Sequence, residues 1–303
     1  MPNPRDIRRR IKSVQNTAQI TRAMQMVAAS KMRRAQEAAL IGRPYASQLC
    51  EALRTVIPQA GDFTHPLAEQ RPVRTQAVIL VSTDKGLCGA LNGNLMREAA
   101  TCDPGMTLFV AAGKKASQFL ARTHRRLLAE FTYRDAPLFG EARAISRFVR
   151  DLFLKGEVDR VEILFTEFVS TLVQRTRRQT FLPVCDLPQL ASGMGSAAPA
   201  PNHAGADAGA APANGSDTTE FAFEPNAAAV FDALLPHHLN NMMYQVLLEA
   251  KASEHSARMV AMKNATDNAR ELQRDLTLDY NQLRQANITR ELLEITSASM
   301  AAS

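Results

Sequence analysis

Residues 7–36 read IRRRIKSVQNTAQITRAMQMVAASKMRRAQ, and one set of positions recurs in them at alternating steps of four and three. From Ile7 the steps reach Ile11, Val14, Ala18, Thr21, Gln25, Ala28, Met32 and Ala35, then Ala39 beyond the quoted stretch. A seam kept in register over this length predicts a coiled coil. Along it Ile and Val give way to small side chains, which lets a partner helix approach closely. Gln25 is a polar interruption of the kind that sets register.

Gly and Pro extend the reading outward. Neither occurs in residues 5–41, and neither occurs again in residues 237–303. Both interrupt helices, so the gaps predict two long ones. At 1.5 Å per residue the second spans about 100 Å, well past the ~30 Å of a small domain, and must project from it. Its seam runs Leu239, Met243, Val246, Ala250, Ser253 and Ala257 in heptad steps. Ala261, Ala265 and Ala269 follow at steps of four, before Leu272, Leu276 and Leu283. Such a stutter locally unwinds a left-handed supercoil. One helix enters a central region and the other leaves it, so the two are expected to pair antiparallel. The second is longer and overshoots the first over about residues 285–303, ending in 295–303, which carry no charged side chain.

Between the helices, strand-like runs at 76–82, 107–112, 160–168 and 179–184 alternate with helical candidates at 92–102, 114–122 and 138–155. Alternation of this kind predicts βαβ units around a mainly parallel sheet. The fold class is therefore α/β with long terminal helices: an antiparallel α-helical coiled coil plus a central Rossmann-like α/β domain. The expected divisions are 1–57 for the first helix, 74–187 for the α/β domain, 188–220 for a low-complexity insertion, and 221–303 for a foot segment and the long C-terminal helix. Within the insertion, residues 191–219 are Ala, Gly and Pro with almost no large apolar side chain, which reads as a linker without core-forming mass.

The segment 82–92, STDKGLCGALN, follows the apolar run 77–81 and raises the question of a phosphate cradle. Gly86, Gly89 and Gly93 fit neither GxxxxGK[ST] nor GxGxxG. Cys88 has no histidine near it in sequence to act as a base, so a nucleophilic role lacks a partner.

Charge is unevenly spread along the 303 residues, whose formal net charge is +6. Before residue 57 eleven Lys or Arg face three acids, whereas from residue 237 onward seven bases face eight acids. The first helix should seek an acidic partner. The four cysteines form no CxxC pair, which suits a reducing compartment and argues against a disulfide framework or zinc site. No apolar run approaches the ~20 residues of a membrane span, and the basic N-terminus lacks the apolar stretch of a secretory signal.

Read residue by residue, 7–36 closely resembles the N-terminal helix of the gamma subunit of F-type ATP synthases. SEHSARMVAMKNATDNARELQRDLTLDYNQLRQANITRELLEI (253–295) resembles that family's C-terminal helix. STDKGLCGALN is similar to its internal motif, and FAFEPN (221–226) to its segment before the long helix. The resemblance covers the chain apart from 191–219. It implies a central rotor shaft turned by a membrane ring inside a hexamer of alpha and beta subunits, with no active site, cofactor or metal of its own. Implied partners are the alpha, beta and epsilon subunits and the c-ring, with neither nucleic acid nor direct membrane insertion. The implied location is peripheral, at the cytoplasmic face of the cell inner membrane.

By the same resemblance, the acidic lever of beta meets Met24, Lys31, Arg33, Arg34 and the loop at Lys85, Gly86 and Cys88. The alpha–beta collar meets Arg258, Arg284, Gln285, Thr289 and Glu294. The foot on the ring uses Phe221, Phe223 and Glu224. In this reading Gly86 and Gly89 let the loop backbone come close to a moving partner. A nucleic-acid or anionic-lipid binder is the main rival. It is disfavoured because Arg8, Arg9 and Arg10 point around the helix and no aromatics interleave with them. An α/β enzyme with helical arms is the other.

Overall fold

The computed structural model describes residues 4–59, 65–184, 224 and 226–302. The expected insertion and the foot residues Phe221 and Phe223 lie outside them. In chain order the elements are α1 (Pro4–Gln59), a 3-10 turn (Pro66–Ala68), β1 (Gln76–Val81), α2 (Leu91–Ala100), β2 (Thr107–Ala112) and α3 (Lys114–Arg122). Then come β3 (Leu127–Phe131), α4 (Phe139–Leu154), β4 (Arg160–Phe168), β5 (Gln174–Leu182) and α5 (Ala227–Ala302).

Both terminal helices outrun the limits that Gly and Pro suggest. Helix α1 passes through Gly42 and Pro44, and α5 contains Pro236. Packing overrides propensity here. Phe231, Leu235 and Leu239 are buried on both sides of Pro236 and hold the helix together across it. A Cβ on Gly42 would stand 2.3 Å from Gln245 Nε2, so glycine opens the space that α5 needs beside α1.

By internal contacts the chain divides into two units: Met1–Ser30, Leu87–Gly89 and His255–Ser303 form one, and Lys31–Gly86 with Ala90–Glu254 the other. The first unit is a helix pair. Ile7, Ala18, Thr21 and Ala28 are buried, Ile11, Val14 and Gln25 are partly covered, and every residue between them is exposed. That is the heptad seam read from the sequence. Across the pair the Thr21 and Thr266 hydroxyls are 2.7 Å apart.

Residues 255–261 of α5 are covered throughout, and from Met262 the seam runs on through Thr266, Ala269, Gln273, Leu276, Tyr280, Leu283 and Asn287 in regular heptad steps. Ala257, Ala261 and Ala265 form a second covered row beside the start of it. Leu272, expected in the seam, is instead 49% exposed. Register is held by the buried Met262 and Thr266, and heptad steps from them land on Gln273. Beyond Asn287 every side chain described is exposed.

The second unit contains the sheet, in the order β3-β2-β1-β4-β5, parallel except for the antiparallel β4–β5 pair. Strand β1 shows why its sequence is continuously apolar. Ala77, Ile79 and Val81 face one core, shared with α4, α5 and Leu53 of α1. Val78 and Leu80 face another, shared with α2 and α3. A strand covered on both faces has no polar side to alternate with. Within this unit too the long helices run antiparallel: Gly42 meets Gln245, and Cys50 Sγ lies 3.9 Å from His238 Nδ1.

Two strands differ from expectation. Strand β3 was not foreseen in LLAEF, an edge strand with no fully buried residue. Strand β5 begins at Gln174 rather than 179, because Arg175, Arg177 and Arg178 belong to it. Two of those cations are matched by β4: Arg177 pairs with Glu167 at 2.7 Å, and Arg178 lies 3.7 Å from Glu162.

Candidate functional site

In an open α/β sheet ligands bind at the carboxyl ends of the strands, where the strand order reverses. Here that point lies between β1 and β4. The chain's own α5 fills it. Ser253 Oγ donates to the Thr166 carbonyl near the end of β4 at 2.9 Å. Tyr133 Oη donates to the Ser82 carbonyl just past β1 at 2.8 Å. Lys251 Nζ lies 4.5 Å from the centre of the Tyr133 ring. Burial first, then the carboxylates of Glu254, Asp84 and Asp135, push the Tyr133 hydroxyl well above its usual range, keeping it a donor.

The neighbouring helix N-terminus is likewise committed. At the start of α3, Lys114 N donates to Asp84 Oδ1 (3.0 Å), Lys115 N to the Thr83 carbonyl (3.0 Å) and Ala116 N to Ser82 Oγ (2.7 Å). These are the donors that would hold a phosphate. Gly113 makes the arrangement possible: its φ is 104°, and a Cβ there would fall 2.3 Å from the Ser82 carbonyl oxygen. Ser82, Thr83 and Asp84 at the start of the segment thus cap α3. Among the described residues no cluster of three or more His, Cys, Asp or Glu is placed to hold a metal.

The residues nominated for partner contact fall into distinct settings. Met24, Arg33 and Arg34 are exposed along α1, and Lys85 is exposed on the loop. Lys31 is only partly exposed and forms an ion pair with Asp135 of its own chain, so its charge is already engaged. Cys88 is 2% exposed, so its side chain is buried within the chain. Gly86 has open space within the chain where a Cβ would stand. Gly89 is the constrained one, with φ of 60° and Ala261 of α5 at 3.9 Å from its absent Cβ.

Of the collar residues, Arg258 is partly covered and reaches His255 Nδ1 at 3.4 Å, while Arg284, Gln285 and Thr289 are exposed. The side chain of Glu294 lies outside those described, and Glu224, alone of the foot residues described, is exposed.

Two features escaped the sequence reading. Leu87 adopts φ of 62° and is 60% exposed, an apolar side chain held out on strained backbone beside Lys85. The second is the set Lys31, Tyr133, Asp135, Lys251 and Glu254, drawn together from α1, the β3–α4 connection and α5. Only the depth of Lys251 reveals it, and sequence carries no signal of depth.

Comparison with known proteins gives this geometry its family. A family model described as ATP synthase matches residues 3–302. The ATP synthase gamma chain of Opitutus terrae is 45% identical over 304 residues, covering 100% of this chain and 99% of its own. That of a Roseiflexus species is 44% identical over 310 residues, covering 99% of each. Among solved structures, a chain from the OSCP/F1/c-ring part of the Euglena gracilis mitochondrial ATP synthase superposes with a TM-score of 0.65 at 18% identity, covering 98% of this chain and 94% of that one. A chain from the central stalk/c-ring part of the Tetrahymena thermophila enzyme gives 0.59 at 23%, covering 81% and 99%. The structural likenesses establish the same fold, and the full-length identities establish descent: the chain belongs to the ATP synthase gamma-chain family.

Proposed function

We propose that this chain is the central-stalk rotor of an F-type ATP synthase, carrying rotation from a membrane c-ring to a catalytic hexamer of alpha and beta subunits. Family membership supports the reading, and one observation in the molecule carries it. Past Asn287 every described side chain of α5 is exposed, and Ile288, Leu292, Leu293 and Ile295 are 46–66% exposed. Four large apolar side chains on one unpaired helix end belong in a partner's apolar surroundings, here the sleeve formed by the alpha–beta collar. The chain supplies no reacting group. It acts by presenting different flanks to successive beta subunits and so shifting their binding free energies in turn.

Met24, Arg33, Arg34 and Lys85 are the exposed lever contacts. Arg284, Gln285, Thr289 and Glu294 face the collar, with Arg258 near them in sequence. Phe221, Phe223 and Glu224 form the foot against the ring, with epsilon rotating alongside. Among the described residues no helix is long and apolar enough to cross a membrane, so attachment is through the complex. The location that goes with this reading is peripheral, at the cytoplasmic face of the inner membrane.

Charge reversal tests the reading. In membrane vesicles carrying the assembled synthase, Arg33→Glu with Arg34→Glu sets like charge against the lever, where a mismatch costs several kcal/mol. Ion uptake per ATP hydrolysed should fall. Unchanged uptake per ATP would overturn the lever contact. Failure of the wild-type chain to co-purify with alpha and beta would overturn the rotor reading itself.

A further inference from the structure

Lys251 is the most deeply placed cation described in the molecule, 1% exposed. Its Nζ lies 3.0 Å from Glu254 Oε2 and 3.7 Å from Asp135 Oδ1, with the Tyr133 ring beneath it. The other oxygen of Asp135 binds Lys31 Nζ. Asp135 therefore stands between one lysine from each long helix, on the connection that leaves β3 and enters α4.

A methionine at 251 would fill similar space without the cost of burying a charge, and a buried ion pair rarely adds net stability over such a replacement. Stability alone therefore does not account for the lysine. Direction does. Apolar contacts are non-directional and let a helix slide or turn about its axis. Charge-assisted hydrogen bonds fix both distance and angle. The sheet meets α5 largely through apolar side chains. Against that, Lys31 of α1 hydrogen-bonds Asp135, and Lys251, held by its hydrogen bond to Glu254 on the same helix, faces the other Asp135 oxygen as an ion pair at 3.7 Å, which adds a charge-specific constraint between helix and body.

We propose that Lys251 and Asp135 form a charged joint that locks α1 and α5 to the sheet-bearing body, so that turning force on the body reaches both helices without slip. Lys251 is a positioning residue in this joint, and Glu254, three residues along the same helix, holds its ammonium in place. The inference rests on the rotor reading and adds the place where force passes between parts of the chain.

The test uses membrane vesicles carrying the whole synthase, with ATP hydrolysis and ATP-driven ion uptake measured on the same preparation. Lys251→Met keeps the volume and removes the charge. Adding Glu254→Gln removes the carboxylate left behind, restoring assembly if Lys251→Met lowers it. The double variant should assemble and hydrolyse ATP but take up fewer ions per ATP, by about twofold or more. Normal uptake per ATP in that variant would assign Lys251 a packing role only and overturn the joint.

Should both Lys251 variants fail to assemble, Asp135→Asn decides, because that side chain is 47% exposed and its amide leaves the fold intact. It too should lose uptake per ATP, and normal coupling would overturn the proposal. Absence of uptake in wild-type vesicles would sink the rotor reading, and the joint with it.

Discussion

Two stretches of one helix, residues 239–257 and 284–297 of α5, face opposite environments. In the first, only Tyr244 and Glu249 are partly covered and all other residues are buried. Up to Glu254 it lies within the sheet-bearing unit, and even His238, Asn240, Asn241, Gln245 and Lys251 at or beside it are buried with the apolar residues. In the second, every side chain described is exposed except that of Asn287, although the stretch includes Ile288, Leu292, Leu293 and Ile295. Burial on all sides needs no amphipathic stripe, and exposure of leucines on an unpaired helix makes no sense for a chain that works alone. The first stretch is structured for this molecule, and the second for its surroundings.

Substitutions should separate the two. Leu247 is fully buried in the first stretch. Leu247→Ala should lower the stability of the purified chain by about 2–5 kcal/mol through the cavity it leaves, read as an earlier urea midpoint at unchanged slope. A loss within experimental scatter would mean that the enclosure is looser than described.

Acid should act on the same region. Burial lowers the pKa of His238 to about 4, so the folded chain holds the ring neutral. Unfolded, the ring takes up its proton near 6.5. The neutral ring's contribution is therefore complete above pH 6.5, declines as the pH falls, and is gone below about 4. The difference in pKa corresponds to a loss on the order of 3 kcal/mol. Unfolding midpoints followed from pH 7 to 4 should show this slope, and His238→Leu should flatten it. An equal slope in the variant would place the titration elsewhere.

At the free end the expected effect on the chain itself is the smallest. Leu293→Ala with Ile295→Ala should move its stability by no more than about 0.5 kcal/mol. The same pair should weaken assembly with alpha and beta subunits, as should removal of 296–303, and by more than it lowers coupling per turnover in the complexes that form. Selective loss of coupling at full assembly would contradict the sleeve reading.

Much of this division was legible in the sequence. The α1 seam, the overshoot of the C-terminal helix and strands β1, β2 and β4 follow from local periodicity, because each element buries what its own pattern dictates. Strand β3 was not legible because an exposed edge imposes no apolar pattern, and the start of β5 was hidden by arginines whose carboxylate partners lie on another strand. The Leu272 position was misread because an apolar residue sits beside the seam and Gln273 within it. The joint at Lys251 depends on contacts between residues 31, 135 and 251, and no local pattern encodes those. Of the nominated partner contacts, the exposed ones could be drawn from the family resemblance. The engagement of Lys31 and the burial of Cys88 required three dimensions.

Rotation itself is the most direct measurement. Leu172, in the β4–β5 turn, is 76% exposed, whereas Cys50, Cys88 and Cys102 are buried. Leu172→Cys in a Cys185→Ser background therefore offers a selective point for a visible probe. With alpha and beta subunits fixed to a surface and ATP supplied, the probe should turn in one direction, in step with ATP turnover. A probe that stays still while the complex continues to hydrolyse ATP would contradict the account.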